Sequence, residues 1–442
     1  MHIELPENVK KIISKIEEFG YEAYAVGGCV RDSILGRVPN DWDITTSAEP
    51  KDIKAIFKKT FDTGIKHGTV SVLIGKDIYE VTTYRIDGEY EDARHPKEVT
   101  FTRELKEDLL RRDFTINAMA YNDSKGLVDL YGGLSDIENK IIRCVGNPYD
   151  RFSEDALRIM RAVRFAAQLD YDIEEKTKEA IISLAPTLSK ISAERVQTEL
   201  VKLLVSNHPG HIRQAYELGI TKIFIPEFDE AMDCIQNNPN HAYTVGEHTI
   251  KVIENTPKDK VLRLTALFHD LGKVSTKTTD EEGVDHFSGH PKASAGIAHR
   301  IFRRLKFDVD TERKVCRLVE SHDWTIGATP KHMRRYINKI GEEAFPVIFE
   351  FNRADLLAQS EYRREEKFEL LHNLKAEYER IVEENECVSL KTLKVTGKDV
   401  IAAGVPAGPK VGEVLEKLLN EVIEDPSKND IDYLLSRINE TE

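Results

Sequence analysis

The first third of the chain mixes helical and strand patterns of apolar residues. Residues 7–19 place apolar side chains at helical spacing, and a short apolar strand follows at 23–26. Residues 69–74 and 78–84 have the composition of two strands, and the Gly-Lys-Asp turn between them predicts a β-hairpin. Beyond residue 150 strand patterns nearly vanish, and helical periodicity continues to the end. The chain is therefore predicted to be an α+β protein with a mixed head and a long helical body.

Composition and charge narrow the class of protein only slightly. The length of 442 residues suits roughly two to four domains. There is no apolar run long enough to span a bilayer and no signal-peptide pattern, and the five cysteines are scattered. We therefore expect a cytoplasmic protein with no membrane partner. The net charge of −14 does not exclude a nucleic acid, because local basic surface decides that binding, as at 300–306 and 331–335.

A glycine pair, an arginine and an Asp-x-Asp pair occur together within residues 27–46. At Gly28 and its neighbour no Cβ keeps the backbone amides from a phosphate, and Arg31 supplies a forked cation. Asp41 and Asp43 alternate with apolar residues, so a strand here would put both carboxylates on one face. A hard divalent ion such as Mg²⁺ prefers such oxygen ligands. The stretch indicates metal-assisted phosphoryl or nucleotidyl transfer, although isolated Asp-x-Asp pairs are often solvated loop residues.

Glu80 is a candidate third carboxylate of the same site. It shares a face of the second hairpin strand with Ile78 and Thr82. If the hairpin flanks the aspartate strand, Glu80 would join Asp41 and Asp43. The alternative is an exposed cross-strand charge.

A second motif, RRDFTINAMAYN, occupies residues 111–122. Its two arginines, of which the second is Arg112, and the following Asp113 suit a site that grips a triphosphate. The apolar residues after them would anchor the segment in a core. The alternative is an ordinary helix start with capping residues.

A third motif, EDALRIMRAVRFAAQL, predicts a helix over 154–169 with an apolar stripe on one side. Its other flank carries Asp155, Arg158, Arg161 and Arg164 at three-residue steps. A carboxylate accepts from an exocyclic amino group and a guanidinium donates to the ring nitrogen beside it, so an Asp–Arg pair would select cytosine and adenine over uracil and guanine. The remaining arginines would neutralise phosphate. The alternative is an exposed helix held by weak Asp–Arg pairs.

These motifs together resemble one family. GGxVRD, DWDI, TGxxHGTV, RRDFTINAM, DLYGG and EDxxRxxR follow in the order of the class II tRNA nucleotidyltransferases, the CCA-adding enzymes, over about the first 200 residues. The resemblance implies a polymerase β-like nucleotidyltransferase head at 1–145 and a helical neck with base recognition at 146–240. It implies that Asp41 and Asp43 hold two Mg²⁺ ions, and that the nucleotide is bound by Gly28, Arg31, Arg112, Asp113, Asp155, Arg158, Arg161 and Arg164.

The product of the head is a separate question, because bacterial poly(A) polymerases resemble the same motifs. Residues 63–74 look more like the CCA-adding branch. CC-only enzymes resemble the full enzymes with a loop removed, and residues 86–106 keep that loop. A CC-only product is therefore disfavoured, while A addition and poly(A) formation stay open as alternatives.

The second half holds an independent set of histidines and aspartates. His248, the doublet His269-Asp270 and Asp355 offer a mixed nitrogen–oxygen set for a divalent transition metal, such as Ni²⁺, Mn²⁺, Co²⁺ or Fe²⁺. The ordered set resembles the HD phosphohydrolase superfamily, which implies an HD metal-dependent domain at 241–385. It further implies hydrolysis of phosphomonoesters or 2′,3′-cyclic phosphates.

Three more residues extend this interpretation. His290 and His322 are candidates for a second metal, as in some HD members, and Lys273 is a candidate to grip a substrate phosphate. Residues 397–419 resemble the family's C-terminal tail, and the resemblance implies a helical tail at 386–442 that contacts tRNA.

The sequence therefore predicts an enzyme that adds CCA to the tRNA 3′ end from CTP and ATP without a template, with an attached HD hydrolase. The alternative of another class is an HD phosphohydrolase whose head only binds nucleotide. The oligomeric state is left open.

Overall fold

The computed structural model describes residues 1–88, 99–323, 329–342 and 345–440. The chain divides into two compact units, Met1–Phe224 and Ile225–Glu442. Among the helices of the described residues, none has the length and apolar character needed to cross a membrane.

The first unit contains every strand of the main sheet. Its elements are α1 Glu7–Glu18, β1 Ala23–Val26, α2 Gly28–Ile34, β2 Ile44–Thr46, α3 Pro50–Ile56, β3 Thr60–Gly64, β4 Thr69–Ile74, β5 Asp77–Thr83, β6 Arg85–Asp87, β7 Val99–Phe101, α4 Leu105–Leu110, β8 Met119–Asn122, β9 Gly126–Asp129, α5 Gly133–Glu138, β10 Ile141–Ile142, α6 Pro148–Glu154, α7 Leu157–Leu169, β11 Asp172–Ile173, α8 Glu175–Leu184, α9 Ala193–Leu204, α10 Ile212–Glu217 and α11 Thr221–Phe224.

Seven strands form a mixed sheet in the order β3-β4-β5-β2-β1-β8-β9. Only β2 and β5 run parallel, with Ile44 opposite Val81, and the other neighbours are antiparallel. Buried aromatic and apolar side chains on the sheet, among them Tyr24 and Tyr84, pack against Leu109 of α4. The parallel register of β2 and β5 matters for the carboxylates discussed below.

Several elements confirm the predictions made from the sequence pattern. The helix predicted at 7–19 is α1, the strand at 23–26 is β1, and the hairpin is β4–β5 with Gly75 in the left-handed region at φ +65°. The α+β class with a helical body is likewise confirmed. Beyond residue 150, the strands of the described residues are the two-residue β11 and a two-stranded pair in the second unit.

The prediction of one helix over 154–169 is wrong at its start. Glu154 ends α6, Asp155 is extended at φ −141° and ψ 102°, and α7 begins at Leu157. The break has a tertiary cause, because Asp155 turns to form an ion pair with Arg195 of α9, with Nη2 2.7 Å from Oδ2. Its carboxylate also caps the new helix by accepting from the Leu157 amide at 3.0 Å.

The second unit is helical apart from one short hairpin. Its elements are α12 Pro226–Asp233, α13 Val245–Asn255, α14 Lys260–Phe268, α15 Lys273–Thr276, β12 Thr278–Thr279, β13 Asp285–His286, α16 His290–Arg304, α17 Val309–Ser321, α18 Pro330–Ile340, α19 Phe345–Ala358, α20 Arg364–Glu383, α21 Gly397–Ala402, α22 Pro409–Glu424 and α23 Ile431–Glu440. The C-terminal helices bury a core of their own around Val400, Leu418 and Leu434.

Candidate functional site

Two guanidinium groups lie beside the glycine pair that precedes and opens α2. Gly27 has φ +83°, and a Cβ there would lie 3.0 Å from Arg112 Nη1. At Gly28 a Cβ would lie 3.7 Å from Arg31 Nη2. Gly27 therefore leaves room for the Arg112 guanidinium next to the backbone, whereas a Cβ at Gly28 would make only ordinary van der Waals contact. Two cations beside the backbone suit a polyanionic ligand.

Asp41 and Asp43 lie directly before β2 rather than on it. The prediction of a strand through both residues is wrong, because β2 begins at Ile44. Pairing with β1 ends where the Val26 amide donates to the Asp43 carbonyl at 3.0 Å. The chain of β1 then turns into Gly27, so Asp41 has no β1 residue left to pair with.

The parallel register brings the third predicted carboxylate to the same level. Since Ile44 is opposite Val81, the preceding residues Asp43 and Glu80 lie side by side. Desolvation raises the pKa of Asp43; the positive charge of Arg112 opposes the rise, and the charges of Asp41 and Glu80 add to it. Carboxylates that repel one another in this way form an all-oxygen donor set, which fits a hard divalent cation such as Mg²⁺.

Asp113 is buried at the centre of a hydrogen-bond network. It accepts from the Phe114 amide at 2.8 Å, from Asn117 Nδ2 at 3.1 Å, and from Arg161 Nε at 2.7 Å. Asn117 in turn accepts from Arg31 Nη1 at 2.6 Å. Burial would raise the pKa of Asp113, but Arg161 and these hydrogen bonds hold it well below its usual range. Asp113 thus orients two arginines.

Asp108 is a charged residue of this region that the sequence motifs do not single out. It is fully buried on α4 and accepts from Arg111 Nη2 at 2.7 Å and from Thr45 Oγ1 at 3.0 Å. Its Oδ2 lies 3.5 Å from Arg112 Nη2. Burial would raise the pKa of Asp108, and the two arginines lower it below normal. The only sequence signal is the spacing, which places an acid one helical turn before the Arg-Arg pair.

Asp155 and Arg158, the predicted pair, each contact other residues. Arg195 donates to both oxygens of Asp155, whereas Arg158 Nη1 contacts Glu154 at 2.5 Å and Arg158 Nη2 donates to the Arg111 carbonyl at 2.9 Å. Both residues are therefore held by α6, α9 and the Arg-Arg motif. The prediction that all four charged residues share one helix flank is wrong for Asp155, which lies in the break before α7.

Phe165 is the residue of α7 that the periodicity missed. The guanidinium carbons of Arg31, Arg161 and Arg164 lie 5.1, 5.3 and 3.9 Å from its ring centroid. Arg164 also forms a buried ion pair with Glu199 of α9 at 2.7 Å. Burial lowers the pKa of Arg164 to about 10, against the opposing charge of Glu199. An aromatic side chain on the charged flank of an amphipathic helix was the available signal.

The segment 86–106 is only partly described. Its ends contribute to the antiparallel pair β6–β7, in which Asp87 is opposite Val99. Residues 89–98, the middle of the predicted loop, lie outside the described residues.

In the second unit, the four predicted ligands come together with His290 and His322. His248 Nε2 lies 2.9 Å from Asp355 Oδ1, and His269 Nε2 lies 3.2 Å from Asp270 Oδ2. The other oxygen of Asp270 lies 3.3 Å from His290 Nε2 and 3.5 Å from His322 Nε2. Two groups, His248–His269–Asp270 and Asp270–His290–His322, thus share one carboxylate, and the ligand atoms within each lie within 4.8 Å of one another.

The hydrogen bonds of the rings aim their lone pairs at the centre of the cluster. Nδ1 of His269, His290 and His322 lies 2.7–2.8 Å from a backbone carbonyl oxygen. A carbonyl can only accept, so each Nδ1 carries the hydrogen and each Nε2 of a neutral ring presents a lone pair. His290 Nε2 and His322 Nε2 face each other at 3.2 Å. This tautomer pattern is typical of metal-ligating histidines.

An unsatisfied atom supports the same interpretation. Within the described part of the chain, buried His269 Nε2 makes no hydrogen bond of acceptable geometry. Burial would lower the pKa of His269, but Asp270 and Asp355 raise it to about 10, so the ring holds a proton at Nε2 that a bound cation would replace. The donor set therefore fits the predicted transition metal.

Lys273 is committed to partners inside the protein. Its ammonium lies 2.7 Å from Asp270 Oδ2, 3.1 Å from Gln236 Oε1 and 3.3 Å from His241 Nε2. These three acceptors match the three donors of an ammonium group. Lys273, the predicted phosphate-binding lysine, therefore also orients Asp270.

Comparisons with known proteins cover most of the chain. Residues 23–143 match the family profile of the poly A polymerase head domain, residues 170–232 that of an RNA and SrmB-binding site of polymerase A, and residues 279–438 that of tRNA nucleotidyltransferase domain 2. The HD interpretation of the second unit stays a prediction.

Curated relatives and solved structures agree with these matches. A CCA-adding enzyme of Pediococcus pentosaceus is 36% identical over 434 residues, which is 98% of this chain and 97% of the relative. One from Enterococcus faecalis is 56% identical over 194 residues, which is 44% of this chain and 48% of the relative. The crystal structure of the Bacillus stearothermophilus CCA-adding enzyme in complex with CTP aligns with TM-score 0.72 at 30% identity, over 98% of this chain and 96% of that one. The chain belongs to the family of CCA-adding enzymes.

Proposed function

We propose that this protein adds CCA to the 3′ end of tRNA from CTP and ATP without a template. The observation that carries the proposal is the convergence of Arg31 and Arg112 on the glycine pair, with Arg112 acting on Asp43 at the same time. A phosphate-binding surface and a carboxylate group meet there. Family membership and the CTP complex of the 30% identical relative support the same substrates.

In the proposed reaction, the tRNA 3′-hydroxyl oxygen bonds to the α-phosphorus of the nucleotide and pyrophosphate leaves. Arg31 and Arg112 bind the triphosphate and offset its charge, and Asp113 holds Arg31 in place through Asn117. Asp41, Asp43 and Glu80 supply the oxygen ligands for Mg²⁺. When bound, Mg²⁺ lowers the pKa of the attacking hydroxyl and stabilises the pyrophosphate charge.

Base selection is assigned to Asp155 and Arg158. The Asp155 carboxylate accepts from the amino group of cytosine or adenine, and Arg158 donates to the adjacent ring nitrogen. Arg195 contacts both oxygens of Asp155 and orients the carboxylate, while further lone pairs remain for a base. Uracil and guanine present a carbonyl at this position, which a carboxylate repels. Arg161 and Arg164 are the remaining proposed nucleotide-binding residues.

The test is incorporation onto tRNA that ends at the discriminator base, at C or at CC, with CTP and ATP offered separately and together. Growth by C, C and A followed by arrest is expected, and Asp43→Ala is expected to abolish it. Extension of the CC-ended tRNA alone would identify an A-adding enzyme, and a long ladder of A would identify a poly(A) polymerase. No extension with Mg²⁺ present would refute the proposal.

We further propose that the second unit binds one or two divalent transition-metal ions and hydrolyses phosphate esters. Four histidines whose Nε2 atoms face the buried Asp270 or the partly buried Asp355 support this second activity. A bound metal ion would polarise the phosphoryl oxygens and supply a nucleophile from water.

Metal content of the purified chain and its phosphatase activity test this proposal. Asp270→Ala is expected to abolish metal binding and ester hydrolysis while CCA addition persists. Asp43→Ala is expected to do the reverse, because the two residues belong to different proposed sites. If the wild-type chain contains no transition metal and hydrolyses no phosphate ester, the hydrolase proposal is refuted and nucleotidyl transfer is the one proposed activity that stands.

A further inference from the structure

The histidine–aspartate centre opens into a pocket of about 530 Å³. This volume lies within the roughly 300–1,000 Å³ usual for sites of small organic ligands, whereas a free phosphate ion would occupy only a small part of it. The walls combine amide side chains with four leucines of α19 and α20, namely Leu356, Leu370, Leu371 and Leu374. A phosphate ester with an attached organic group matches this mixture of polar and apolar surface.

Lys367, on the second turn of α20, supplies a positive charge to this pocket. Its Nζ donates to Asn240 Oδ1 at 2.9 Å and to Gln359 Oε1 at 2.8 Å. Both partners are neutral, and in the described parts of the chain no carboxylate oxygen lies within 4.0 Å of the ammonium. An ammonium has three donors, so one donor is left for a ligand, and the charge of the ammonium has no direct ion-pair partner among the described residues.

The same residue is connected directly to the proposed metal centre. Gln359 Nε2 donates to Asp355 Oδ2 at 2.7 Å while Gln359 Oε1 accepts from Lys367. One amide group thus separates the lysine from an aspartate of the centre. Lys273, the other lysine of the pocket, has its three donors engaged with Asp270, Gln236 and His241. Lys367 is therefore the better placed cation for a substrate.

We propose that Lys367 is a substrate-binding residue of this pocket: its ammonium binds an anionic oxygen of an organic phosphate ester beside the histidine–aspartate centre, and the leucines of α20 contact the organic group. This inference rests on the proposed hydrolase activity. It assigns specificity to α20, whose sequence REEKFELLHNL carries no motif of that chemistry.

The test uses the full chain with its bound metal and three esters: p-nitrophenyl phosphate, 3′-AMP and an RNA oligonucleotide with a 3′-phosphate. Lys367→Gln is expected to raise KM by about 10- to 100-fold, the worth of a hydrogen bond to a charged group, with a smaller change in kcat. Lys367→Arg should restore most of the affinity. Lys375→Gln removes the same charge from an exposed position of α20 and should behave as wild type.

Metal content and CCA addition, measured on the same preparations, separate binding from folding. An effect with the oligonucleotide but not with 3′-AMP would identify an RNA end as the source of the ester. An unchanged KM in Lys367→Gln, or a loss of kcat that follows loss of metal, would overturn the role of Lys367 while the hydrolase proposal stands. A wild-type chain that hydrolyses none of the esters would overturn the hydrolase proposal and this inference with it.

Discussion

Replacing Asp113 by alanine tests whether the arginines of the head depend on one buried carboxylate. Asp113→Ala removes the acceptor for the Phe114 amide, for Asn117 and for both Nε and Nη2 of Arg161, the last at 2.5 Å. It also frees Asn117, the partner of Arg31. The variant therefore loosens two cations at once without touching either of them.

The expected loss of stability follows from these contacts. Breaking a buried ion pair costs about 3–5 kcal/mol, but a solvated partner recovers part of that cost. The Arg161 side chain is 34% exposed and can turn to water, whereas the Asp113 side chain is 8% exposed. We therefore expect about 2–3 kcal/mol, most of it from the stranded hydrogen-bond donors of Asn117 and Phe114.

Denaturant unfolding followed with a probe in the first unit measures this loss, and incorporation kinetics measure its consequence. Asp113→Ala should raise KM for both CTP and ATP, because Arg31 loses the support of Asn117 and, of its acceptors Asn117 and Asp32, keeps only Asp32. Asp62→Ala is the matched control, since it removes an aspartate from an exposed pair with Lys54 and should change stability by less than about 0.5 kcal/mol. If the two variants unfold at the same denaturant concentration, the network does not stabilise the head.

Three further changes probe other contacts. Glu199→Gln leaves the buried guanidinium of Arg164 without its counter-charge and should lower the free energy of unfolding by about 3–5 kcal/mol, measured with denaturant. Replacing both Arg164 and Glu199 by methionine should recover part of this stability, and no recovery would contradict the argument. Gly272→Ala would set a Cβ 2.5–2.6 Å from backbone atoms of α16, so metal analysis should find lower occupancy, and an unchanged metal content would refute the steric argument. The Lys277 hydrogen bond lowers the pKa of Asp285 to about 2; since the unfolded value is about 3.9, its stabilisation is full above pH 4 and falls as the pH drops from about 4 to 2. In Asp285→Asn the midpoint of denaturant unfolding should change less with pH over that interval than in the wild type. Equal pH dependence in the two proteins would argue against a stabilising Lys277–Asp285 pair.

The sequence predicted features whose cause is local. The helix α1 and the turn at Gly75 depend on periodicity and on the missing Cβ, so a few neighbouring residues suffice to predict them. The grouping of His248, His269, Asp270 and Asp355 was also predictable, because few residue types ligate transition metals.

The features that were missed depend on partners distant in sequence. Between Glu154 and Leu157 the chain contains neither glycine nor proline, and the break appears only when Arg195 draws Asp155 out of the helix. Lys367 resembles any solvated lysine of a charged helix until Asn240 and Gln359 place it in a pocket. Such roles are set by tertiary contacts, which single-chain periodicity does not contain.

One carboxylate with its two oxygens turned to different histidine pairs would link the two proposed metal positions of the second unit thermodynamically. Oδ2 of Asp270 lies near His248 and His269, while Oδ1 lies near His290 and His322. An ion on one side changes the charge and orientation that the carboxylate presents to the other. Linkage is reciprocal, so each position must alter the affinity of the other by the same factor. A metal titration of this protein should accordingly be fitted as two coupled equilibria with a single shared coupling constant.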